Sequence, residues 1–322
     1  NEKSSVLLSP LVIKAIEEND VGKTIYTKED LEKTPNSQKT ISEFLKLNSN
    51  VQFSNIDKAA GSQAEIHSND ISIHGALPYN NAFLINGMNI NNDINPFDNN
   101  TDINSPTALS GSSQAVTLNT DLLCNLEVLD SNVSAQYGKF TGGVISATTC
   151  APKTTVGKIH GTLNYDYTTS DWYRFNYINQ SEVDDFEDPA ETSAQKDFVQ
   201  QGFSLSTYGR LTENLGVNLG VSQRKSDISS NSQLADSRPY NEERKSTNIN
   251  AEIFYNPSDD LEIKFSAQNF NDESTRYNQS ILTNGYNQSS DSQSLQLSIE
   301  KIFPTFSLTN NLSYQKKKNE RL

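Results

Sequence analysis

Leu261-Glu262-Ile263-Lys264-Phe265-Ser266-Ala267-Gln268 alternates apolar and polar residues at every step. Successive side chains of a β-strand point to opposite faces, so this stretch reads as a strand with one apolar and one polar face. The same design recurs on both sides of it. Ile159, Leu163, Tyr165 and Tyr167 form one set with Gly161 between them. Phe203, Leu205 and Leu211 form another, followed by Val217, Leu219 and Val221, and then by Ile249, Ala251, Ile253 and Tyr255. Leu295, Leu297 and Ile299, and then Phe306, Leu308, Leu312 and Tyr314, complete seven strands. Alternation alone does not separate a two-sheet sandwich from a closed barrel. The connections do. Thr212–Asn214, Asn256–Asp260 and Phe303–Thr305 are short, whereas the polar segments 168–200, 224–245 and 271–292 are long. Strict alternation of short and long connections is the pattern of an outer-membrane barrel, with short turns on one side of the bilayer and long loops on the other.

The rest of the composition agrees. Of 322 residues 34% are hydrophobic, and Asn, Ser, Thr and Gln fill much of the remainder, which suits polar β-rich structure. A net charge of −14 leaves no basic face to neutralise phosphates, so nucleic acid is not expected as a partner; Lys316–Lys318 reads as a wet strand end. No stretch nears the ~20 apolar residues of a spanning helix, so a bilayer would be met by strands. The chain opens at Asn1 without Met, which suits a mature product whose secretory signal has been removed. Cys124 and Cys150 have no third thiol and no nearby His to complete a four-ligand zinc site. A disulfide in an oxidising compartment is the better reading, with two buried thiols as the alternative.

Three regions are expected: a tail over 1–22, a mixed α/β domain over 23–153 and the strand region over 154–322. The tail is polar apart from Val6-Leu7-Leu8 and Pro10-Leu11-Val12-Ile13, a sticky extended segment that cannot bury itself. In the middle region Thr27-Lys28-Glu29-Asp30 has the form of a capped helix start, and Ser37–Leu47 repeats it with Ile41, Phe44, Leu45 and Leu47 on one face. Short strands are expected at 71–73, 82–85, 126–129 and 143–146, with Asn86-Gly87 as a turn whose residues tolerate positive φ. Residues 88–120 should be irregular.

Leu126-Glu127-Val128-Leu129-Asp130-Ser131-Asn132-Val133-Ser134-Ala135-Gln136-Tyr137-Gly138, running on to Gly142-Gly143-Val144-Ile145-Ser146, resembles the end of the plug domain of TonB-dependent outer-membrane receptors, which reads approximately I-E-V-x-R-G-P-x-S-A-x-Y-G and then G-G-V-I-N. Ile71-Ser72-Ile73-His74-Gly75 is similar to that family's I-x-I-R-G element, and Phe83-Leu84-Ile85-Asn86-Gly87 to its L-I-D-G turn. His74, Asn86 and Asp130-Ser131-Asn132 depart from the family's Arg, Asp and Arg-Gly-Pro. The resemblance implies a mainly β protein: a mixed α/β plug inside a transmembrane antiparallel barrel of about 22 strands, seven of them here and about fifteen beyond.

The resemblance also implies function. Ser9, Pro10, Leu11, Val12, Ile13, Lys14 and Ala15 are similar to a TonB box, a segment that adds as an edge strand to TonB. The protein would then be an energised importer in the outer membrane, carrying an iron-siderophore or other metal chelate. The alternatives are a peptide or protein importer and a non-energised surface receptor or adhesin. Glu127 is implied to be a plug carboxylate latched to barrel arginines; an exposed strand acid is the alternative. Tyr79, Asn80, Asn81, Asn91, Asn92 and Asp93 are the implied cargo contacts. Trp172, Tyr173 and Phe175, beside Glu182, Asp184, Asp185, Glu187 and Asp188, form an aromatic and acidic outer loop. His67, His74 and His160 lack a nucleophile or metal-ligand partner in any motif, so neither catalysis nor a metal or cofactor is expected.

Overall fold

Long strands with alternating faces pair wherever a short turn joins them, and seven do so in sequence order. The computed structural model describes residues 22–34, 36, 38–53, 63–94, 96, 112–172, 179, 197–231, 239–277 and 285–321. β8 (Ile159–Thr169), β9 (Asp197–Arg210), β10 (Leu215–Asn231), β11 (Pro239–Ser258), β12 (Leu261–Arg276), β13 (Tyr286–Ile302) and β14 (Ser307–Arg321) form one antiparallel sheet in strictly sequential order. The TonB-box-like residues 9–15, and Tyr173, Phe175 and the acids from 182 to 188, lie outside the described residues.

The register measures how this sheet sits. Ile159, Leu163, Tyr165, Tyr167, Leu219, Ile253, Phe265, Leu295 and Tyr314 all point outward and are exposed. Followed across the sheet, Tyr167 pairs with Gln201, then Lys225, Lys245, Glu273, Ser289 and finally Glu320. The upper edge of the apolar band, however, lies at Tyr167 on β8 and at Tyr314 on β14, six residues below Glu320. Six residues are about 20 Å along a strand, and six strand spacings are about 29 Å across, so a level band requires strands tilted by about 35°. That is the tilt of a transmembrane barrel wall.

The outer connections are shorter than the sequence suggests. Most of 224–245 and 271–292 is strand, because β10 to β13 run on well past the apolar band. Above the band the outward face is wet and the inward face meets the plug mainly through polar groups such as Ser226, Arg244 and Ser246, so apolar alternation stops while the hydrogen-bond ladder does not. Cross-strand pairs take over there: Lys225 with Glu243 at 2.9 Å, Lys245 with Glu273 at 3.1 Å, and Thr275 Oγ1 donating to Asn287 Oδ1 at 2.9 Å. At the other end Leu211 falls in a turn and Phe306 lies just before β14, stacked on Phe303.

The mixed region packs against the inner face of this wall. β1 (Lys23–Thr27), β4 (Ala82–Ile85), β5 (Met88–Asn89), β6 (Leu123–Leu129) and β7 (Val144–Thr149) form a five-stranded sheet in the order β1-β6-β7-β4-β5, with β4 and β7 parallel. β2 (Val51–Phe53) pairs with β3 (Ile71–Ile73). Asn86 and Gly87 take the positive φ that the β4–β5 turn needs. α1 (Lys28–Lys33) starts with a capping box in which Thr27 Oγ1 accepts from Asp30 N–H and Asp30 Oδ2 accepts from Thr27 N–H.

α2 (Ile41–Phe44) is shorter than expected. Thr40 caps it, accepting from Glu43 N–H, and a 3₁₀ turn over 45–47 ends it. Ile41, Phe44 and Leu45 are buried, but Leu47 is exposed. These three join Ile71, Ile73, Phe83, Ile85, Leu118, Leu126, Val128 and Ile145 in one core, and that core also contains Phe270 from β12 of the wall. Ile90, Val116 and Leu118 anchor the described ends of the irregular stretch to it.

Candidate functional site

The wall presents mainly small polar groups to the domain it holds. Ser204, Ser222, Ser246, Asn248, Asn250, Ser266, Ser292 and Ser294 are buried against it, with Phe270 inserted among them. Charged contacts cluster at two levels of this interface.

The lower level is centred on Glu252 of β11, whose side chain is fully buried. Its Oε1 accepts from Asn86 Nδ2 at 2.9 Å and Ser266 Oγ at 3.1 Å, and lies 3.0 Å from Lys264 Nζ. Its Oε2 accepts from Thr149 Oγ1 at 2.5 Å and Asn218 Nδ2 at 3.2 Å. One wall carboxylate thereby holds both the β4–β5 turn and the end of β7. A buried ion is tolerated only when its lone pairs are filled in this way.

The upper level is centred on Glu65. Arg244 Nε donates to both of its oxygens, at 3.1 and 3.0 Å, and Arg276 Nη2 lies 3.6 Å away. Glu242 backs Arg244 at 2.6 Å. Ala64 packs between Phe198 and Ile228, and Gln200 Nε2 donates to Gln63 O, so residues 63–65 are gripped by four successive strands. Burial works against a charged Glu65, but Arg276, Arg244 and His67 outweigh it and hold the carboxyl far below the usual carboxylate range. Beside this level, Thr117 N–H donates to Asp272 Oδ2 at 2.7 Å. Between the two levels Ser204 donates to Asp121 at 2.7 Å, and Arg224 reaches Asp166 and the Gln38 carbonyl.

The expected site residues divide. Asn81 is fully buried: Nδ2 donates to Ile71 O at 2.8 Å while Oδ1 accepts from Gly143 N–H at 3.1 Å. Asn91 is equally committed, accepting from Phe83 N–H and donating to Asn81 O. Tyr79 and Asn80 lie in a 3₁₀ turn just before β4, and Asp93 is exposed. β14 holds this last group, with Lys317 Nζ donating to Asn91 O at 2.6 Å and Asn319 Nδ2 donating to Asn92 Oδ1 at 3.2 Å. β7 runs toward the short-turn end of the wall, where β8 begins, and β4 is parallel to it. Tyr79 and Asn80 therefore sit toward the long-strand end.

Glu127 needs correction. Its partner is Lys23, on the neighbouring strand β1, at 2.5 Å; it does not reach a wall arginine among the described contacts. The β1–β6 register sets the two side chains diagonally across the pair, close enough to meet before the wall does. Cys124 and Cys150 are joined in a disulfide. His74 takes a positive φ and lies 3.8 Å from Asp130.

Sequence reading missed Glu65, Arg244 and Glu252. A signal existed for two of them: even-numbered β11 residues lie opposite the outward Ile249 and Ile253, so Arg244 and Glu252 had to face inward. Beyond Glu242 and Arg276 of the upper level, that same inward face carries Tyr240, Tyr286 and Arg321, with Arg321 stacked 4.0 Å from the Tyr286 ring and Tyr240 4.9 Å from Tyr277.

Residues 15–144 match the TonB-dependent Receptor Plug Domain family. Over 209 residues the chain is 36% identical to the protein YddB of Escherichia coli (strain K12), a match covering 64% of this chain and 26% of that protein. The structure of the outer membrane transporter YddB from Escherichia coli is similar with a TM-score of 0.79 and 27% identity, over 91% of this chain and 38% of that one. The siderophore receptor PirA from Acinetobacter baumannii shares the fold with a TM-score of 0.64 at 19% identity, over 94% of this chain and 40% of that one. A variant of the ferric enterobactin receptor PfeA from Pseudomonas aeruginosa does so with 0.59 at 16%, over 93% and 41%. The chain thus spans well under half the length of these relatives. A matched plug sheet, clasped by a tilted wall with an apolar outer face, places the chain in the family of TonB-dependent outer-membrane receptors, of which it carries the plug and seven strands of the barrel.

Proposed function

We propose that the protein imports a scarce nutrient across the outer membrane of a Gram-negative bacterium, with TonB supplying the energy, and that the cargo is an anionic, aromatic metal chelate such as an iron-siderophore. The observation that carries the cargo reading is the inward face above the plug. Arg321 stands there among Tyr240, Tyr277 and Tyr286, with Arg276 at its lower edge, shared with Glu65 of the plug, and Lys317 lower on β14 beside Asp93. Guanidinium groups pair with carboxylate or catecholate oxygens, and tyrosine faces stack on planar rings. The siderophore and ferric enterobactin receptors that share the fold make this chemistry a natural starting point.

In this reading the tail 1–22 hands residues 9–15 to TonB as an added strand, the plug 23–153 closes the lumen, and 154–322 begins the barrel. Cargo settling from outside meets Tyr79, Asn80 and Asp93 on the plug. TonB then pulls the tail, and the plug shifts or partly unfolds to open a path.

The test uses the full-length receptor in detergent. Calorimetric titration with a ferric tris-catecholate should show binding that weakens at least tenfold in the Arg276→Ala/Arg321→Ala variant. Binding indifferent to both arginines moves the cargo to a peptide or protein. Separately, a peptide of residues 4–20 should bind the periplasmic domain of TonB and lose binding with Val12→Pro, since proline cannot donate to a strand ladder. No binding by the parent peptide leaves a non-energised receptor as the reading.

A further inference from the structure

The plug's disulfide sits where it decides which residues can carry load. Cys124 is the second residue of β6, and Cys150 directly follows β7, with Cα atoms 4.8 Å apart and a sequence separation of 26. The enclosed segment is the β6–β7 hairpin, paired from Leu123↔Thr149 up to Leu129↔Val144. Cys150 is tied to the wall as well: Asn218 Nδ2 donates to its carbonyl at 2.6 Å, and Pro152 packs against Gly216 of β10. Eight residues after Pro152's neighbour Ala151 the chain is already in β8.

A force drawing the N-terminal tail away from the barrel must pass through every residue between the tail and the wall. Without a cross-link it would reach the hairpin at Leu123 and leave at Thr149, two adjacent ends. Loaded there, an antiparallel pair opens one rung at a time, the weakest way to load a ladder whose bonds lie perpendicular to the strands. We infer that the Cys124–Cys150 disulfide is a force bypass: it passes tension from residue 124 straight to residue 150 and the wall, so that β6 and β7 never carry it.

The consequence is a fixed limit on how far the plug can be drawn out. Elements before Cys124 can leave, beginning with β1, an edge strand held by its pairing to β6 and by the Lys23–Glu127 ion pair. The hairpin stays in the lumen with both its outer edges exposed, one to receive β1 and the other to receive β4 when tension ends. This inference rests on the reading that TonB pulls the tail, but its mechanical content does not depend on TonB.

The full-length receptor, reconstituted in a lipid bilayer and pulled by a handle at its N-terminus in a force spectrometer, provides the test. The oxidised protein should reach its final extension about 90 Å short of the same protein after dithiothreitol, the length of 26 extended residues. Cys124→Ser/Cys150→Ser should match the reduced protein, and only the oxidised form should regain its starting trace within the first relaxation cycle. Equal final extension for oxidised and reduced receptor overturns the bypass. A failure of TonB to bind the tail would leave the traces unchanged and count only against the energised reading.

Discussion

Glu252→Gln isolates the lower contact between plug and wall, because it keeps the side-chain shape and removes only the charge. The five groups around Glu252 are all donors: Asn86, Ser266 and Lys264 at Oε1, Thr149 and Asn218 at Oε2. A glutamine amide placed at Oε1 faces Asn86 and the ammonium of Lys264. Placed at Oε2 it faces the Asn218 amide, while the Thr149 hydroxyl can turn to accept, so this is the cheaper orientation. Even then one donor is stranded and Lys264 is left without its carboxylate at a site where it is mostly buried. Breaking a buried pair from one side costs about 3 to 5 kcal/mol. Lys264 keeps some access to water and lies over the Phe254 ring, which argues for the lower end, about 3 kcal/mol. That is a factor of about 150 in the equilibrium for freeing the β4–β5 turn and the end of β7. Hydrogen exchange of the full-length receptor reads it directly at the Asn86 and Thr149 amides, which bond to Ala147 O and Asn86 Oδ1. Lys264→Met alone should cost less, and the double variant should cost less than the sum of the two. Exchange within threefold of the parent at both amides would refute the argument.

Three further outcomes are expected. Glu65 is ionised in the folded plug far below the ordinary value of 4.5, so its contribution is fully present above that value and is lost only as pH falls through the depressed one; protease protection of residues 63–73 should be unchanged from pH 8 to pH 5, and loss between pH 7 and pH 5 would contradict this. Phe270→Ala should cost about 3 to 5 kcal/mol of plug stability by leaving a cavity in its core; denaturant titration of the plug's exchange protection measures it, and a cost below about 1 kcal/mol would show that Phe270 is not part of that core. Gly143→Ala should cost about 1 to 3 kcal/mol, because a Cβ there would lie 2.7 Å from Ile73 Cδ1 and 2.8 Å from Leu129 O; an unchanged plug transition would show that the neighbours yield freely.

Much of this fold is written locally, and the parts that are not share a physical cause. The wall was legible because lipid outside and polar plug inside force a period of two, and three short turns recur at the same end. Strand length was not, since above the membrane the outward face is wet, the inward face is mainly polar, and Lys225–Glu243 pairs leave no apolar rhythm to follow. β1 and β2 were missed for a related reason: five and three residues are too few to show alternation, although Thr24-Ile25-Tyr26-Thr27 is rich in β-branched and aromatic types. The capping box at Thr27 was readable because all of its atoms lie within one turn. Glu127 misled because its partner was sought across the interface when the register had set Lys23 beside it. Glu65 carries no local mark at all. It earns its place only when Arg244 and Arg276, 179 and more residues later, fold against it.

Phe270 bears on the order in which the molecule is made. It belongs to β12 in sequence but to the plug's interior in space, packed with residues such as Phe44, Phe83 and Val128. The plug therefore has no finished interior of its own. A chain whose first domain is sealed by a side chain from its second cannot complete folding in the order of its synthesis. The core of residues 23–153 is complete only once β12 has joined its neighbours. The barrel then acts as the mould in which the earlier part of the chain sets.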